Sequence, residues 1–340
     1  MQLAQRSSTR LSPVAAFFEG LAAQVAQDIV GHDAAVRWCC LALAVRGHLL
    51  VSDVPGVAKT RLAKSLARAL GLSFGRVQCT PDLLPVQMTG FHRYHQGRDT
   101  YEFLPGPLLN GLVLADELNR ATPAAKAGIL EAMQEHQVTV DGRTYPVPAP
   151  GILVAAMNPL DEGIYPLTLA ERDRFALHCD MGYLAHSEAL AFLANYARFD
   201  GDVIAPASAQ LGTDGGTGVA NLQQVYVYVR DRVSVGEEVL RYVADLCAGT
   251  RTHPQVTLGA SDRAMGVLLL VAKAWAAMAG QDVVTPDDVK QVAPSVLAHR
   301  LHLKDPYDPQ FLLARQVMLD IMQQVPVPGS LVVRAAAGVR

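Results

Sequence analysis

The strongest constraint on the fold is an alternation of short apolar runs with helix-like segments between about residues 48 and 182. Five runs, each long enough for one strand, read HLLVSDV, FGRVQCT, LVLADE, ILVAAMN and RFALHCDMG. Between two of them, TRLAKSLARAL places Leu62, Leu66 and Leu70 on one helical stripe before Gly71, a typical helix stop. Strands that are apolar on both faces and separated by helices predict an α/β fold, a parallel five-stranded sheet flanked by helices.

Two segments interrupt this alternation, and both have the composition of a hairpin. They span residues 90–107 and 137–150, and the second contains the turn dipeptide Asp141-Gly142. Between them, Thr122-Pro123 opens a helix. We expect both hairpins to project from the strand-helix core.

After about residue 185 the pattern becomes helical. Ser187, Ser261 and Thr285 are the expected N-caps, and the last opens a capping-box-like TPDD. LGTDGGTGVA (211–220) is an expected flexible loop. The predicted domains are an α/β core over 1–184, an all-helical domain over 185–326 and a tail over 327–340.

Composition excludes several classes of protein. Of 340 residues, 50% are apolar and 18% are charged, and the net charge is -3, so the chain is globular and has no electrostatic bias towards nucleic acid. No apolar span reaches the ~18 residues of a membrane helix, and the N-terminal residues do not form a signal peptide. The five cysteines form no C-x-x-C pair, which favours inert thiols and a cytoplasmic location.

The segment DVPGVAKT (53–60) follows a predicted strand and opens a predicted helix, which is the context of a phosphate-binding loop. Lys59 would bind phosphate and Thr60 would offer its hydroxyl to Mg²⁺. Ala58 replaces the usual second glycine, which is tolerable if its φ is negative. Asp53 replaces the first, and at about 6 Å its charge would repel a phosphate by about 3 kcal/mol. The alternative is an ordinary strand-turn-helix corner.

Two further strands end in polar residues. LVLADELNR ends in Asp116-Glu117, where the first acid could hold Mg²⁺ and the second could accept a proton from water, although both could merely cap a helix. ILVAAMNP ends in Asn158, which could orient water or touch phosphate, or could mark a turn.

Two arginines follow, and either could stabilise transition-state charge or form a surface salt bridge. Arg174 lies in ERDRF, and Arg263 lies in GASDRA at a predicted helix start. The order Lys-Thr, Asp-Glu, Asn and Arg, with the first three at strand ends, favours the functional interpretation of both.

From about residue 27 to 304 the chain resembles the MoxR-type AAA+ ATPases. The resemblance rests on Ala-Lys-Thr in the loop, TPDLLPVQMTGF, FLPGPLLNGLVLADELNRATP, ILEAMQEHQVTV, MNPLDEGIYPL, DRF, GASDRA and VTPDDVKQVAPSVLAHRL. It implies an AAA+ P-loop core with a helix-2 insert and a pre-sensor hairpin, followed by a helical lid domain.

The resemblance also implies a role for each matching residue. Asp116 and Thr60 would hold Mg²⁺, Glu117 would activate water, and Asn158 would sense the γ-phosphate. Arg263 would reach the nucleotide from the lid, and Arg174 would act on the neighbouring subunit's nucleotide. The residues implied in binding ATP are Val30, Gly31, Pro55, Gly56, Val57, Ala58, Lys59, Thr60 and Arg61.

An arginine that acts on the nucleotide of a neighbouring subunit implies a homo-oligomeric ring or spiral, typically a hexamer. The family implies a chaperone-like remodeller that matures or activates a client protein, often with a partner that carries a von Willebrand factor A (VWA) domain. Four residues depart from the family pattern: Asp53, Leu169, Arg172 and Asp262.

Other functions stay open at this point. One is a nucleotide-gated scaffold with little hydrolysis, and another is a magnesium-chelatase-like ATPase subunit. A nucleic-acid motor is disfavoured by the neutral charge, and GTP use by the lack of an N-K-x-D motif.

Overall fold

The computed structural model describes residues 12–52, 58–158, 165–196, 218–305, 308 and 310–328. Within these residues the helices are α1 (Pro13–Ala26), α2 (Asp33–Ala44), α3 (Lys59–Leu70), α4 (Pro85–Thr89), α5 (Pro123–Glu135), α6 (Leu169–Arg172), α7 (His186–Tyr196), α8 (Val219–Asp231), α9 (Glu237–Thr252), α10 (Asp262–Met278), α11 (Pro286–Leu297) and α12 (Leu312–Gln324). The strands are β1 (Leu49–Ser52), β2 (Phe74–Gln78), β3 (Gly90–His95), β4 (Thr100–Pro105), β5 (Leu112–Asp116), β6 (Gln137–Val140), β7 (Arg143–Pro146), β8 (Ile152–Met157), β9 (Leu177–Cys179), β10 (Ser234–Val235), β11 (Val256–Leu258), β12 (Val283–Val284) and β13 (His302–Leu303).

The central sheet confirms the predicted architecture. Its five strands lie in the order β2-β5-β8-β1-β9, and every neighbouring pair is parallel. All five come from the five apolar runs. β1, β8 and β9 are buried along their whole length, because a parallel sheet has helices on both faces. The apolar stripe of α3 faces this core, and Gly71 ends the helix in the left-handed conformation.

Both predicted hairpins are present. β3 pairs with β4, and β6 pairs with β7 through a turn in which Asp141 and Gly142 both have positive φ, 50° and 75°. The two hairpins contact each other. His92 lies 2.8 Å from the Asp141 carboxylate and 2.9 Å from the Tyr145 hydroxyl, and the rings of Phe103 and Tyr145 stack with centroids 3.8 Å apart.

The described residues after about 185 are mainly helical, but β10 to β13 form two small two-stranded sheets, so the prediction of an all-helical domain is only partly right. Two of the three expected N-caps are confirmed. Ser261 accepts from the Ala264 N–H, and Thr285 forms a capping box with Asp288. The Ser187 prediction is wrong, because α7 already begins at His186 and the Glu188 carboxylate takes the preceding N–H of Ala185. Of the Gly-rich loop, residues 211–217 lie outside the described residues.

The N-terminal helices α1 and α2 were not predicted, and they contact both halves of the molecule. The Ser12 hydroxyl donates to the carbonyl of Ala277 in α10. Trp38 in α2 packs on Trp275, also in α10, with ring centroids 5.9 Å apart. The boundary between residues 184 and 185 stays a prediction.

All five cysteines lie in the described residues, and each is buried and free of a disulfide. In the part of the chain with described coordinates, every helix is too short or too polar to cross a bilayer.

Candidate functional site

Three adjacent strands of the sheet, β5, β8 and β1, end at the same edge with the polar residues of the predicted site. In the register, Ser52 at the end of β1 lies beside Met157, and Ala115 of β5 lies beside Ala155. Asp116 and Asn158 therefore follow neighbouring strands, and α3 begins a few residues after β1. With strands about 4.8 Å apart, this edge spans about 10 Å. In an open α/β sheet, ligands bind at the carboxyl ends of the strands.

The loop before α3 is only partly described. The predicted contacts Pro55, Gly56 and Val57, and the unusual Asp53, lie outside the described residues. Ala58 is described, and it does not meet the condition of a negative φ: its backbone is left-handed, with φ 59° and ψ 20°. Such a conformation costs an L-residue about 1–2 kcal/mol, and it turns the chain sharply into the helix.

The first turn of α3 carries the predicted phosphate ligands. Lys59 and Thr60 are the first two residues of the helix and are half-buried, whereas Arg61 is exposed. The positive end of the helix dipole lies at this terminus, so it attracts an anion.

The two acids at the end of β5, Asp116 and the following Glu117, are each paired with an arginine. The Asp116 carboxylate accepts from Arg76 Nη2 at 2.8 Å, and the same nitrogen donates to Gln78 at 2.6 Å. Glu117 accepts from Arg120 Nη1 at 3.2 Å. Sequence reasoning missed Arg76, which becomes a neighbour of Asp116 only because β2 lies next to β5 with Gln78 opposite Asp116.

The backbone of Glu117 is left-handed, with φ 57° and ψ 44°. Non-glycine residues in this region are rare and cluster at functional sites, where the surrounding fold holds them in place. Two residues after Glu117, the buried side chain of Asn119 donates from Nδ2 to the carbonyl of Asn158 at 3.3 Å. The half-buried Asn158 is thus tied to the turn that follows the two acids.

The buried thiol of Cys79 lies close to the negative charges of this region. Cys79 follows β2, and its N–H donates to the carbonyl of Asp116 at 2.9 Å. Burial, together with the negative charges of Asp116 and Glu117, raises the pKa of Cys79 to about 12. The thiol is therefore protonated and unreactive at neutral pH.

Two of the residues implied in binding ATP, Val30 and Gly31, lie where the two halves of the chain meet. Gly31 has φ 74°, and a Cβ built there would come within 2.8 Å of Leu184 and 2.9 Å of Glu188. Another residue here would be strained by the positive φ, and the tips of the Leu184 and Glu188 side chains would have to move. The part that Val30 and Gly31 play in binding stays a prediction.

The two predicted arginines lie on opposite sides of the junction between the sheet domain and the helices. Arg174 follows α6, is half-buried, and donates from Nη1 to the carbonyl of Ala170 at 3.0 Å. Arg263 is the second residue of α10 and is exposed. Their roles also stay predictions.

Two of the unusual residues contact partners in the helical half or at its edge. The guanidinium of Arg172 lies 5.5 Å from the ring centroid of Phe311, and burial lowers the pKa of Arg172. Asp262 lies in the first turn of α10, where a negative charge interacts favourably with the helix dipole. It pairs with Arg251 at 2.7 Å. Leu169 is the half-buried first residue of α6.

The donor set fits Mg²⁺ held together with a nucleotide. Thr60 and Asp116 offer a hydroxyl and a carboxylate, which are the hard oxygen donors that Mg²⁺ prefers beside phosphates and water. Among the described residues, no group of three or more His, Cys, Asp or Glu side chains could hold a metal ion without such help.

Comparison with known proteins agrees with this geometry. Residues 48–177 match the model of the ATPase family associated with various cellular activities (AAA), and residues 248–319 match that of the AAA lid domain. The first match covers the sheet except for the last two residues of β9, and the second runs from the end of α9 into α12.

Three relatives align over most of the chain. YeaC of Bacillus subtilis is 35% identical over 84% of this chain and 87% of its own, and Chaperone MoxR1 of Mycobacterium tuberculosis is 34% identical over 91% and 85%. A crystal structure of a Cytophaga hutchinsonii protein superposes with a TM-score of 0.80 at 29% identity, covering 92% of this chain and 96% of that one. A chelatase subunit of Arabidopsis thaliana, ChlI-1, aligns over only 61% of this chain, at 30% identity.

Proposed function

Because the chain belongs to the MoxR family of AAA+ ATPases, we propose that it hydrolyses ATP to ADP and phosphate and uses the energy to remodel a client protein. The observation that carries this proposal is the placement of Lys59 and Thr60, Asp116 and Glu117, and Asn158 at the carboxyl ends of three adjacent strands. This set contains a phosphate ligand, a metal ligand, a base and a hydrogen-bonding group.

Each residue then has one task. Lys59 and the N-terminus of α3 bind the β- and γ-phosphates, and Glu117 takes a proton from the attacking water. Asn158 donates a hydrogen bond to the γ-phosphate or to that water. Thr60 and Asp116 would hold Mg²⁺, which would neutralise negative charge on the phosphate oxygens. Val30 and Gly31 contact the adenine, and Pro55, Gly56, Val57, Ala58 and Arg61 complete the binding loop.

We propose further that the protein acts as a ring or spiral of identical subunits, in which Arg174 completes the site of the neighbour and Arg263 acts within its own subunit. An arginine supplied to a transition state is worth about 10³–10⁵ in rate in the best-studied cases. Support comes from the half-buried position of Arg174 at the domain junction and from the family membership.

A protein client and a VWA-domain partner complete the proposal. We assign the surface of the two hairpins, β3–β4 and β6–β7, to binding either the client or the VWA-domain partner, because apolar side chains are exposed there. These are Phe91, Tyr94 and Tyr101, the last with 72% of its surface exposed. A subunit-packing role for the same surface is the alternative.

Steady-state hydrolysis measured against protein concentration tests the proposal. We expect turnover per subunit to rise with concentration, since Arg174 works only in an assembly. Glu117→Gln removes turnover but keeps nucleotide binding, whereas Lys59→Ala removes both. Tight ATP binding without turnover at any concentration would instead support the nucleotide-gated scaffold. A chelatase function would require metal insertion with a cognate partner, and the partial alignment to ChlI-1 disfavours it.

A further inference from the structure

A buried arginine joins the helical half of the molecule to the segment that carries Arg174. Arg300, in the turn that follows α11, is only 5% exposed. Its Nε donates to the Asp173 carboxylate at 2.9 Å. It also donates to four backbone carbonyls, those of Asp173 at 3.3 Å, Phe175 at 2.5 Å, Ala176 at 3.2 Å and Val296. Three of the four carbonyls belong to the segment from 173 to 176.

The charge of Arg300 is retained in this buried place. Burial lowers the pKa of Arg300 to about 10, and the neighbouring Asp173 carboxylate opposes that shift. At neutral pH the guanidinium is therefore charged, and Asp173 is its counter-ion. A buried charge that loses its partner is strongly destabilised, so the pair fixes the position of both side chains.

The Asp173 carboxylate has a second partner, and this one leads to Arg263. The Ser261 hydroxyl lies 3.2 Å from each oxygen of Asp173 and donates to that carboxylate. Ser261 is also the N-cap of α10, accepting from the Ala264 N–H at 3.1 Å. Asp173 is thus one residue from Arg174 along the chain, and one hydrogen bond away from the turn that carries Arg263.

The other side of the same short helix is held by the sheet domain. Glu171, in α6, lies 3.2 Å from the Nζ of Lys126, which is 3% exposed and also donates to the carbonyls of Tyr165 and Pro166. The segment before Arg174 is therefore attached to α5 through Glu171 and to the helical half through Asp173.

We propose that Asp173 and Arg300 are positioning residues that hold Arg174 and Arg263 in a fixed relation, so that a movement of the lid moves both arginines together. The inference rests on the proposed ATPase function. Neither residue belongs to the set that contacts nucleotide. Their effect is transmitted through the backbone at 173–174 and through the cap of α10.

The test is a pair of double-mutant cycles on kcat. Asp173→Asn keeps an acceptor oxygen and removes the charge. We expect it to lower kcat about tenfold or more, since small misplacements of catalytic groups cost up to about 10²-fold, with a smaller change in the Kd for ATP that arises through Arg263. In an Arg174→Ala or Arg263→Ala background, the same substitution should cost at least about threefold less than in the wild type, because one of the two groups that it positions is already absent.

The matched control is Asp180→Asn. Asp180 follows β9 and pairs with Arg315 of α12, so it is a second ion pair between the sheet domain and the helices. It is adjacent to neither arginine. We expect Asp180→Asn to change kcat by the same factor in the wild type and in the Arg174→Ala and Arg263→Ala backgrounds.

The inference is overturned if Asp173→Asn lowers kcat by the same factor in all backgrounds and that factor follows the decrease in Tm, as expected for Asp180→Asn. The Asp173–Arg300 pair would then be purely structural. Absence of turnover in the wild type would be a failure of the proposed function alone. The cycle of Asp173→Asn with Arg263→Ala would then be read on the Kd of a fluorescent ATP analogue. Non-additive changes would uphold the inference, and additive ones would overturn it.

Discussion

At the scale of single residues, two residues of the site have a backbone conformation that is unfavourable for any residue with a Cβ. Ala58 and Glu117 are both left-handed, with φ 59° and 57°, and they flank the two strand ends where phosphate and Mg²⁺ are proposed to bind. The sequence order of the site residues shows neither feature. Backbone conformation at such positions is imposed by the connection between a strand and the helix or turn that follows it.

We predict that Ala58→Gly stabilises the protein, because glycine adopts positive φ without the clash of a Cβ. The expected gain in the free energy of unfolding is about 0.5–1 kcal/mol, after the entropy that glycine adds to the unfolded chain. Ala69→Gly, inside the same helix, should instead cost about 1 kcal/mol. Urea unfolding measures both, and a loss at position 58 would contradict the assigned conformation.

A second residue-scale prediction concerns Arg76, which neutralises Asp116 in this structure. Arg76→Gln should lower the Mg²⁺ concentration for half-maximal binding of a fluorescent ATP analogue by about two- to fivefold, the range of a partly exposed ion pair. Arg93→Gln breaks a comparable pair with Glu102, 3.1 Å long, on the hairpin, and should leave that concentration unchanged. An equal shift in both variants would indicate a general charge effect.

At the scale of elements, local patterns predicted most of the sheet and hairpins but fewer of the helices. Strand runs were recognisable because most of their residues are apolar, and the hairpins because of turn residues such as Asp141-Gly142. The pattern did not reveal α1, α2, α8 and α12, because their buried faces contact several other elements. No local pattern indicated that the two hairpins join through His92 and Tyr145.

We predict that this joint is the main support of the hairpins. Tyr145→Leu removes the stack on Phe103 and the hydrogen bond with His92. The hairpins should open more easily by about 1–2 kcal/mol. Amide hydrogen exchange over 90–105 and 137–146 measures the change. Tyr101→Leu, at an exposed position of the β3–β4 hairpin, should leave exchange near wild type, and equal effects would contradict the proposed support.

At the scale of the whole molecule, buried neutral histidines make stability depend on pH. His48 accepts from the Leu153 N–H at Nδ1 and lies 2.9 Å from the Met133 carbonyl at Nε2, and burial lowers its pKa to about 4. Burial, with Arg315 near one and Arg300 near the other, also holds the pKa values of His178 and His299 well below 6.5.

Because the folded pKa of His48 is below the unfolded value of 6.5, the unfolded chain binds more protons between these values. The stability from neutral His48 is therefore complete above about pH 6.5 and is lost as pH falls towards about 4, by about 3 kcal/mol in total. Denaturant unfolding from pH 7.5 to 4.5 measures this slope. His48→Gln should reduce it, whereas His186→Gln, at an exposed position, should not; equal slopes in all three proteins would contradict the assignment.

The sequence by itself determined the α/β class, the five strands and the order of the site residues, because hydrophobic period and turn chemistry are local properties. Only the tertiary structure decided which distant groups meet: Arg76 with Asp116, and Asp173 with both Ser261 and Arg300. Such pairs are 40 to 127 residues apart in the chain. Their contact depends on strand register and on the packing of the helical half against the sheet, which are set by the whole core rather than by any one segment.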